Sequence, residues 1–152
     1  MMKKAEGQRA ILQRLLIPLF VVALYVIDLR TYTSVIIAEL TGATVEGHVL
    51  VASESSVIRV EWESSGLVGI AVLAFLFIVT GDVPEFVLSA LIYYILNLGL
   101  ILVAVYLPAA FLAFWFYSAF SIIIAYVLAY YLLARTRYKL NVEKPMPPPP
   151  SG

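Results

Sequence analysis

The residues best placed for chemistry lie in the run Glu63-Ser64-Ser65-Gly66. A serine hydroxyl attacks a carbonyl only when a base takes its proton, and the candidate bases nearest in sequence are Glu61, Glu63 and His48. If a helix begins here, its free backbone amides and its dipole would stabilise a developing negative oxygen. The run therefore predicts either a nucleophilic Ser64 or a Ser64 that only caps a backbone N–H at the start of the helix.

Two other polar residues are candidates for a functional role. His48 is the single histidine of the chain, and imidazole titrates close enough to neutral pH to act as a general base. Its alternative role is that of an ordinary strand or turn residue. Asn97 lies in the middle of an apolar segment, where an amide hydrogen bond between helices is worth roughly 0.6–2 kcal/mol. We expect Asn97 to bind a neighbouring helix, with contact to a ligand as the alternative.

The composition excludes several other kinds of site. The chain has no cysteine, one histidine and a formal net charge of zero. Thiol chemistry, disulfides, iron–sulfur clusters and multi-histidine metal cages are therefore ruled out. We predict no metal, no cofactor and no nucleic-acid partner, because a neutral chain lacks the basic surface that nucleic acids bind. The central parts of the apolar segments hold no Lys, Arg, Asp or Glu, which argues against an ion pump or an ion-coupled transporter.

The serine run has a particular setting in the chain. Gly47-His48-Val49-Leu50-Val51 and Val57-Ile58-Arg59-Val60 look like a glycine-bearing strand segment that precedes a helix. The run Glu63-Ser64-Ser65-Gly66-Leu67 then looks like an A-C-S/T-G motif, with Ser64 in the place of a nucleophilic cysteine. The next apolar segment carries Asn97-Leu98-Gly99-Leu100, which is similar to an N-x-x-R motif with a leucine in the place of the arginine.

In this order of motifs the chain resembles the exosortase/archaeosortase family, which are polytopic membrane transpeptidases that process C-terminal sorting signals of exported proteins. The family has a histidine or a second arginine on a later helix, where this chain has Phe114 and Tyr117, and its members have more membrane spans. With Leu100 in the arginine position, the cation that would stabilise an oxyanion is also missing. The resemblance implies a degenerate relative without transpeptidase chemistry, or a serine variant that still binds or cleaves exported proteins.

The composition and the lengths of the apolar segments indicate a membrane protein. Hydrophobic residues make up 62% of the 152 residues and charged residues 13%, against about 45–50% and about 25% in soluble domains. A membrane-spanning helix needs about 20 mostly apolar residues. We predict a mainly α membrane protein with four transmembrane helices, at residues 10–29, 65–83, 84–106 and 108–134.

The breaks between the last three predicted helices are short. Gly81 is expected to end the second helix, and Asp82, Pro84 and Glu85 are expected to begin the third as a D-x-x-E capping box with proline in its first turn. Leu107-Pro108 separates the third helix from the fourth.

Small residues form a stripe on the fourth predicted helix. Ser121, Ala125 and Ala129 recur every four residues and permit close helix packing. Three glycines on the second and third helices are the candidates to receive this stripe: Gly66, Gly69 and Gly99. Aromatic residues near both ends of the helix would lie at the membrane surfaces.

Charge predicts the orientation of the chain. Four basic residues lie before or at the start of the first apolar segment and four follow the last: Lys3, Lys4, Arg9, Arg14, Arg135, Arg137, Lys139 and Lys144. Residues 30–64 instead hold two arginines against five glutamates. Because basic residues stay on the cytoplasmic side, residues 1–9 and the Pro-rich tail 135–152 are predicted to be cytoplasmic, with 30–64 outside. The first helix is expected to be an uncleaved anchor.

The outer segment 30–64 is predicted to contain a small β-hairpin. Residues 44–51 and 57–63 are the expected strands, with a polar turn at 53–56. In the second strand Ile58, Val60 and Trp62 share one face, and the charged residues share the other. A lone hairpin is marginally stable in water, so we expect the apolar face to be covered by lipid headgroups or protein.

Two shorter stretches at the start of the outer segment carry less decisive patterns. Residues 31–39 fit either a short helix or a strand. Asp28 and Arg30 are expected to pair at the outer end of the first helix.

Together these features predict a multi-pass protein of the cell membrane that acts as a small non-catalytic scaffold or accessory subunit. Its expected partners are membrane lipids and other membrane-protein subunits. The alternative is a sortase-like membrane peptidase, transpeptidase or substrate-binding protein that acts on exported proteins, with Ser64 at the nucleophile position. A small transporter or channel is a third class, which the lack of membrane-embedded charge disfavours.

Overall fold

The computed structural model describes residues 2–53, 56–80, 82–107 and 114–142. The chain is mainly helical, with a small sheet inserted between the second and third helices. Its elements in chain order are α1 (Met2–Val26), α2 (Leu29–Thr41), β1 (Thr44–Glu46), β2 (Val49–Ser53), β3 (Ser56–Arg59), α3 (Leu67–Thr80), α4 (Val83–Tyr106) and α5 (Phe114–Val142). The predicted break at Pro108 and the Pro-rich tail beyond Val142 lie outside the described residues.

The first apolar segment ends in a sharp bend. The helical stretches Ile11–Val26 and Leu29–Thr41 meet at 65°, so the stretch 31–39 is helical. Asp28 stands at the bend with a φ of 54°, a left-handed conformation that is uncommon for a residue other than glycine. Arg30 Nε donates to Asp28 Oδ1 at 2.8 Å and Thr31 Oγ1 donates to Asp28 Oδ2 at 2.9 Å. The expected pairing of Asp28 with Arg30 is confirmed.

The sheet has three antiparallel strands in the order β1-β2-β3, where the sequence predicted two. The expected first strand 44–51 is divided by a two-residue turn at Gly47-His48, which pairs Glu46 with Val49. Gly47 has a φ of 64°, and a glycine at positive φ in the first position is the pattern of a type II′ turn. The aliphatic residues on both sides of Glu46-Gly47-His48 had favoured one continuous strand.

The last strand ends at Arg59, short of the predicted residue 63, but the predicted alternation of burial continues as far as Val60. Ile58 and Val60 are buried, whereas Arg59 is exposed. Trp62 is partly buried: its ring stacks on Tyr25 at 4.7 Å, and the Arg30 guanidinium lies 3.9 Å from the ring centroid. The apolar face is therefore covered by the protein's own helices.

The buried residues form two cores at different heights of the molecule. One joins α1, α3, α4 and α5 around Leu73, Phe86 and Tyr93. The other joins α2, the sheet and the C-terminal half of α4 around Ile37, Leu50 and Ile101. The sheet and α2 thus pack on the half of α4 that extends beyond α3.

The helix start at Asp82 shows the aspartate half of the predicted capping box. Asp82 Oδ1 accepts a hydrogen bond from the Glu85 backbone N–H at 3.1 Å, and proline occupies the first turn of α4. Arg137 Nη2 of α5 donates to Asp82 Oδ2 at 2.8 Å. This ion pair joins the end of α5 to the connection between α3 and α4.

In the part of the chain that the structure describes, two helices are long and apolar enough to cross a membrane: α4 and the stretch Phe116–Arg137 of α5. The bent pair of α1 and α2 passes the same test when its two parts are taken together, which makes a possible third span. The stretch Leu67–Val79 of α3 is apolar but shorter. The lengths and composition of these helices are those of a membrane protein.

Candidate functional site

The polar residues singled out by the sequence meet where the turn before α3 packs on the middle of α4. Asn97 Nδ2 donates to the Ser64 carbonyl at 2.7 Å. Thr33 Oγ1 of α2 donates to the Ser65 carbonyl at 3.3 Å and lies 2.9 Å from the Tyr94 hydroxyl. These five residues, which we call the polar junction, tie α2, the turn and α4 together.

Ser64 is buried, and its hydroxyl is occupied by a local turn. The hydroxyl accepts from the Glu61 backbone N–H at 3.0 Å and donates to the Glu61 carbonyl at 3.3 Å. A serine that is held twice by backbone lacks the hydrogen bond to a base that an activated nucleophile requires. The arrangement is that of a serine that stabilises a turn.

The serine that interacts with the start of α3 is the next one along the chain. Ser65 Oγ donates to the Trp62 carbonyl at 2.8 Å and accepts from the Leu67 N–H at 3.4 Å. The sequence predicted this capping role for Ser64. Two adjacent serines offer the same chemistry, so only the position of the first helical residue, Leu67, separates their roles.

Gly66 permits the close approach of the turn to α4. Its φ is 93°, and a Cβ at this position would lie 3.3 Å from Asn97 Nδ2 and 3.3 Å from Tyr94 Cδ2. Any other residue would be strained in this backbone conformation and would press on both side chains. The glycine therefore keeps the turn before α3 in close contact with α4.

Asn97 is fully buried, and only its amide nitrogen is paired. In the part of the chain that the structure describes, Asn97 Oδ1 has no hydrogen-bond partner, and neither has Ser89 Oγ, eight residues earlier on α4. A buried acceptor without a donor costs free energy. Asn97 Oδ1 is thus the polar atom of the junction that remains open to a further donor.

The predicted general bases lie apart from the Ser64 hydroxyl. His48 sits in the turn between β1 and β2, where its carbonyl accepts the Val60 N–H at 2.8 Å. The Glu61 carboxylate faces Arg59 at 3.8 Å, and Glu63 is exposed. Within the described ranges, no group of three or more His, Asp or Glu residues is placed to hold a metal ion.

The small-residue stripe of α5 faces inward. Ser121, Ala125 and Ala129 are buried, while their neighbours on the helix are largely exposed. One turn before the stripe, Ser118 Oγ lies 2.8 Å from the Tyr93 hydroxyl of α4. The stripe therefore packs on the interior of the bundle.

The glycines expected to receive the stripe have other roles. A Cβ on Gly69 would overlap the ring of Tyr93, and Gly66 packs on Asn97 and Tyr94, so both glycines serve the contact between α3 and α4. Gly99 is exposed, and a Cβ on it would meet no atom within 4 Å. The expectation was wrong because the space left by the glycines on α3 and in the turn before it is filled by tyrosine side chains of α4 and not by α5.

Comparisons of the chain with protein-family models, with curated proteins and with solved structures found no match.

Proposed function

We propose that the chain crosses the cell membrane four times, through α1, α3, α4 and α5, with both termini on the cytoplasmic side. The ion pair of Arg137 with Asp82 supports this topology, because it brings the end of α5 to the connection between α3 and α4. Leu16 of α1 lines a cleft together with Val83, so the early part of α1 lies at the same end.

The short helix α3 fits this topology with the help of the turn and the sheet. Its 14 residues rise about 21 Å at 1.5 Å per residue, against about 30 Å of hydrocarbon. It begins beside the middle of α4, and the remaining half of α4 is covered by α2 and the sheet. The polar junction would then lie below the outer membrane surface, enclosed by protein.

We infer that the protein is a non-catalytic scaffold or accessory subunit of a membrane complex. The observation that carries this proposal is that the polar groups of the junction bond to one another and to nearby backbone. The Ser64 hydroxyl is hydrogen-bonded to the Glu61 backbone, and the Asn97 amide donates to the Ser64 carbonyl. Polar groups that lock elements together stabilise a fold. The outward faces of α1 and α5 are rich in exposed apolar residues, available to lipids and to neighbouring subunits.

The test is a purification of the tagged chain from its native membrane in a mild detergent, followed by mass spectrometry. An accessory subunit is expected to bring a fixed set of larger membrane proteins in constant ratio. The control is the membrane of cells that express the chain without a tag, taken through the same purification. Recovery of the chain without any stoichiometric companion would contradict the proposal.

A serine-dependent activity on exported proteins is the second candidate. The hydrogen bond between Asn97 and the Ser64 carbonyl favours it, because it joins the two segments that resemble family motifs, and Asn97 Oδ1 remains unpaired. Ser64→Ala would then leave exported proteins unprocessed, whereas Ser65→Ala, the matched control, would not. Normal processing in Ser64→Ala cells removes this candidate.

A further inference from the structure

An apolar groove runs lengthwise between α1 and α4. Its inner part encloses about 370 Å³ between Leu16, Phe20, Val83 and Val87. Its outer part encloses about 210 Å³ and shares Phe20 and Val87 with the inner part. The two parts adjoin at these two residues, and we call them together the lateral groove.

The lining of the lateral groove is suited to hydrocarbon alone. Its outer part exposes no polar surface, because the Tyr94 hydroxyl at its end is bonded to Thr33. Ala90 forms part of the lining of the outer section and leaves it deep. From Val83 to Tyr94 the groove follows twelve residues of α4, whose eleven steps rise about 16 Å at 1.5 Å per residue.

The two ends of the lateral groove differ. At the outer end, Leu29 and Tyr94 line it where α2 crosses from α1 to α4. The part of α1 that precedes the groove-lining Leu16 is basic in sequence: residues 2–15 hold Lys3, Lys4, Arg9 and Arg14 against Glu6. Of the two carboxylates at the start of α4, Asp82 is paired with Arg137, and Glu85 is partly buried. The chain segment next to the inner end therefore has more basic than acidic residues.

We propose that the lateral groove binds an acyl chain of an anionic phospholipid, with the lipid headgroup at the inner, basic end. A partner helix is about 10–12 Å across, so the same length of helix has several times the volume of either part of the groove. An acyl chain is thin, apolar and already present along α4, and anionic headgroups are attracted to basic segments beside the membrane. The inference depends on α1 and α4 lying in the membrane and not on the scaffold function.

The experiment counts the lipids that stay bound to the full chain. The protein is reconstituted in vesicles of equal parts phosphatidylglycerol and phosphatidylcholine, exchanged into mild detergent, and examined by native mass spectrometry. Val87→Trp fills the groove from its rim, since Val87 is 42% exposed and lines both parts. Ile95→Trp is the matched control on α4, since Ile95 is 58% exposed and lines neither part.

The wild type and Ile95→Trp are expected to retain phosphatidylglycerol, and Val87→Trp is expected to lose it. Leu91→Trp, at the rim of the outer part, should repeat the loss and guards against a folding defect peculiar to one variant; circular dichroism confirms that each variant is folded. Equal retention in Val87→Trp and the wild type, or no retained lipid in any of them, would overturn the proposal. Retention of phosphatidylcholine equal to that of phosphatidylglycerol would overturn the proposed preference for an anionic headgroup.

Discussion

Asn97 joins α4 to the turn before α3 through one buried hydrogen bond to the Ser64 carbonyl. Asn97→Ala should lower the free energy of unfolding by at least the roughly 0.6–2 kcal/mol of such a bond within a membrane protein, because the Ser64 carbonyl loses its donor. Thermal unfolding in detergent measures the change. Ile95→Ala, at an exposed position of the same helix, is the control; an equal effect of the two substitutions would contradict the assignment.

Gly69 and Gly99 offer opposite outcomes for the same substitution. Gly69→Ala would place a Cβ into the Tyr93 ring, and overpacking of this kind costs about 1–3 kcal/mol. Gly99→Ala meets open space and should stabilise α4 by about 0.5–1 kcal/mol, since alanine favours a helix more than glycine does. The melting temperatures of the two variants should therefore move in opposite directions. A stabilised Gly69→Ala would show that α3 and α4 do not pack in this way.

The sequence indicated the kinds of residue at the polar junction but not their partners. Asn97 was expected to bind a neighbouring helix, and it binds the turn before α3 instead. That its partner is a backbone carbonyl, and that Thr33 and Tyr94 complete the junction, follows from the packing of α2 across α4. Thr33 and Tyr94 occupy helix positions that look ordinary in sequence, so only the three-dimensional contact reveals them.

Among the elements, β3 is followed directly by Val60, a fully buried residue that helps to anchor the sheet to the core. Val60→Ala should cost about 2 kcal/mol, because two buried methyl groups are lost and a cavity remains. Val57→Ala should have little effect, since Val57 is 61% exposed. The difference between the two melting temperatures tests the register of the sheet. A larger loss in Val57→Ala would mean that the faces are reversed.

The connection between α3 and α4 should be sensitive to acid. Burial raises the pKa of Asp82, but the hydrogen bonds from Arg137 and from the Glu85 amide outweigh it and hold that pKa below its ordinary value. A lowered pKa in the folded state gives stability above the ordinary pKa that is lost as the pH falls through the folded-state pKa. Asp82→Asn should therefore melt at a lower temperature than the wild type at neutral pH.

The melting temperatures of Asp82→Asn and the wild type are also compared at low pH. Near about pH 3, below the ordinary pKa of an aspartate, the difference between Asp82→Asn and the wild type should shrink. Glu63→Gln, which alters an exposed carboxylate, is the control and should show no such convergence. A difference that stays constant from neutral to acidic pH would mean that the ionised carboxylate does not support the fold.

The elements were predicted best where local chemistry determines them. The N-cap at Asp82 could be read from the sequence because its aspartate and the following proline both act within the first turn of α4. The bend at Asp28 gave no such signal, since a left-handed aspartate is held by Arg30 and Thr31 and by the packing of α2. The turn at Gly47-His48 was missed although Glu46, Gly47 and His48 interrupt the apolar residues, because Val45 before them and Val49-Leu50-Val51 after them favoured one continuous strand.

At the level of the whole molecule, the number of membrane crossings depends on whether the bent pair α1 and α2 and the short helix α3 each count as a span. Length and composition support α4 and α5 as spans and the bent pair of α1 and α2 as a third. The four-span topology adds α3, which is short because α2 and the sheet cover the rest of α4. An odd number of crossings would place the two termini on opposite sides, whereas four place them together.

Cysteine accessibility tests this topology most directly, because the chain has no cysteine of its own. Single replacements Lys3→Cys, Glu63→Cys and Ser151→Cys are treated with a membrane-impermeant maleimide in intact cells and after permeabilisation. The four-span topology predicts that Glu63→Cys reacts in intact cells, and that Lys3→Cys and Ser151→Cys react only after permeabilisation. Labelling of one terminus but not the other in intact cells would contradict it.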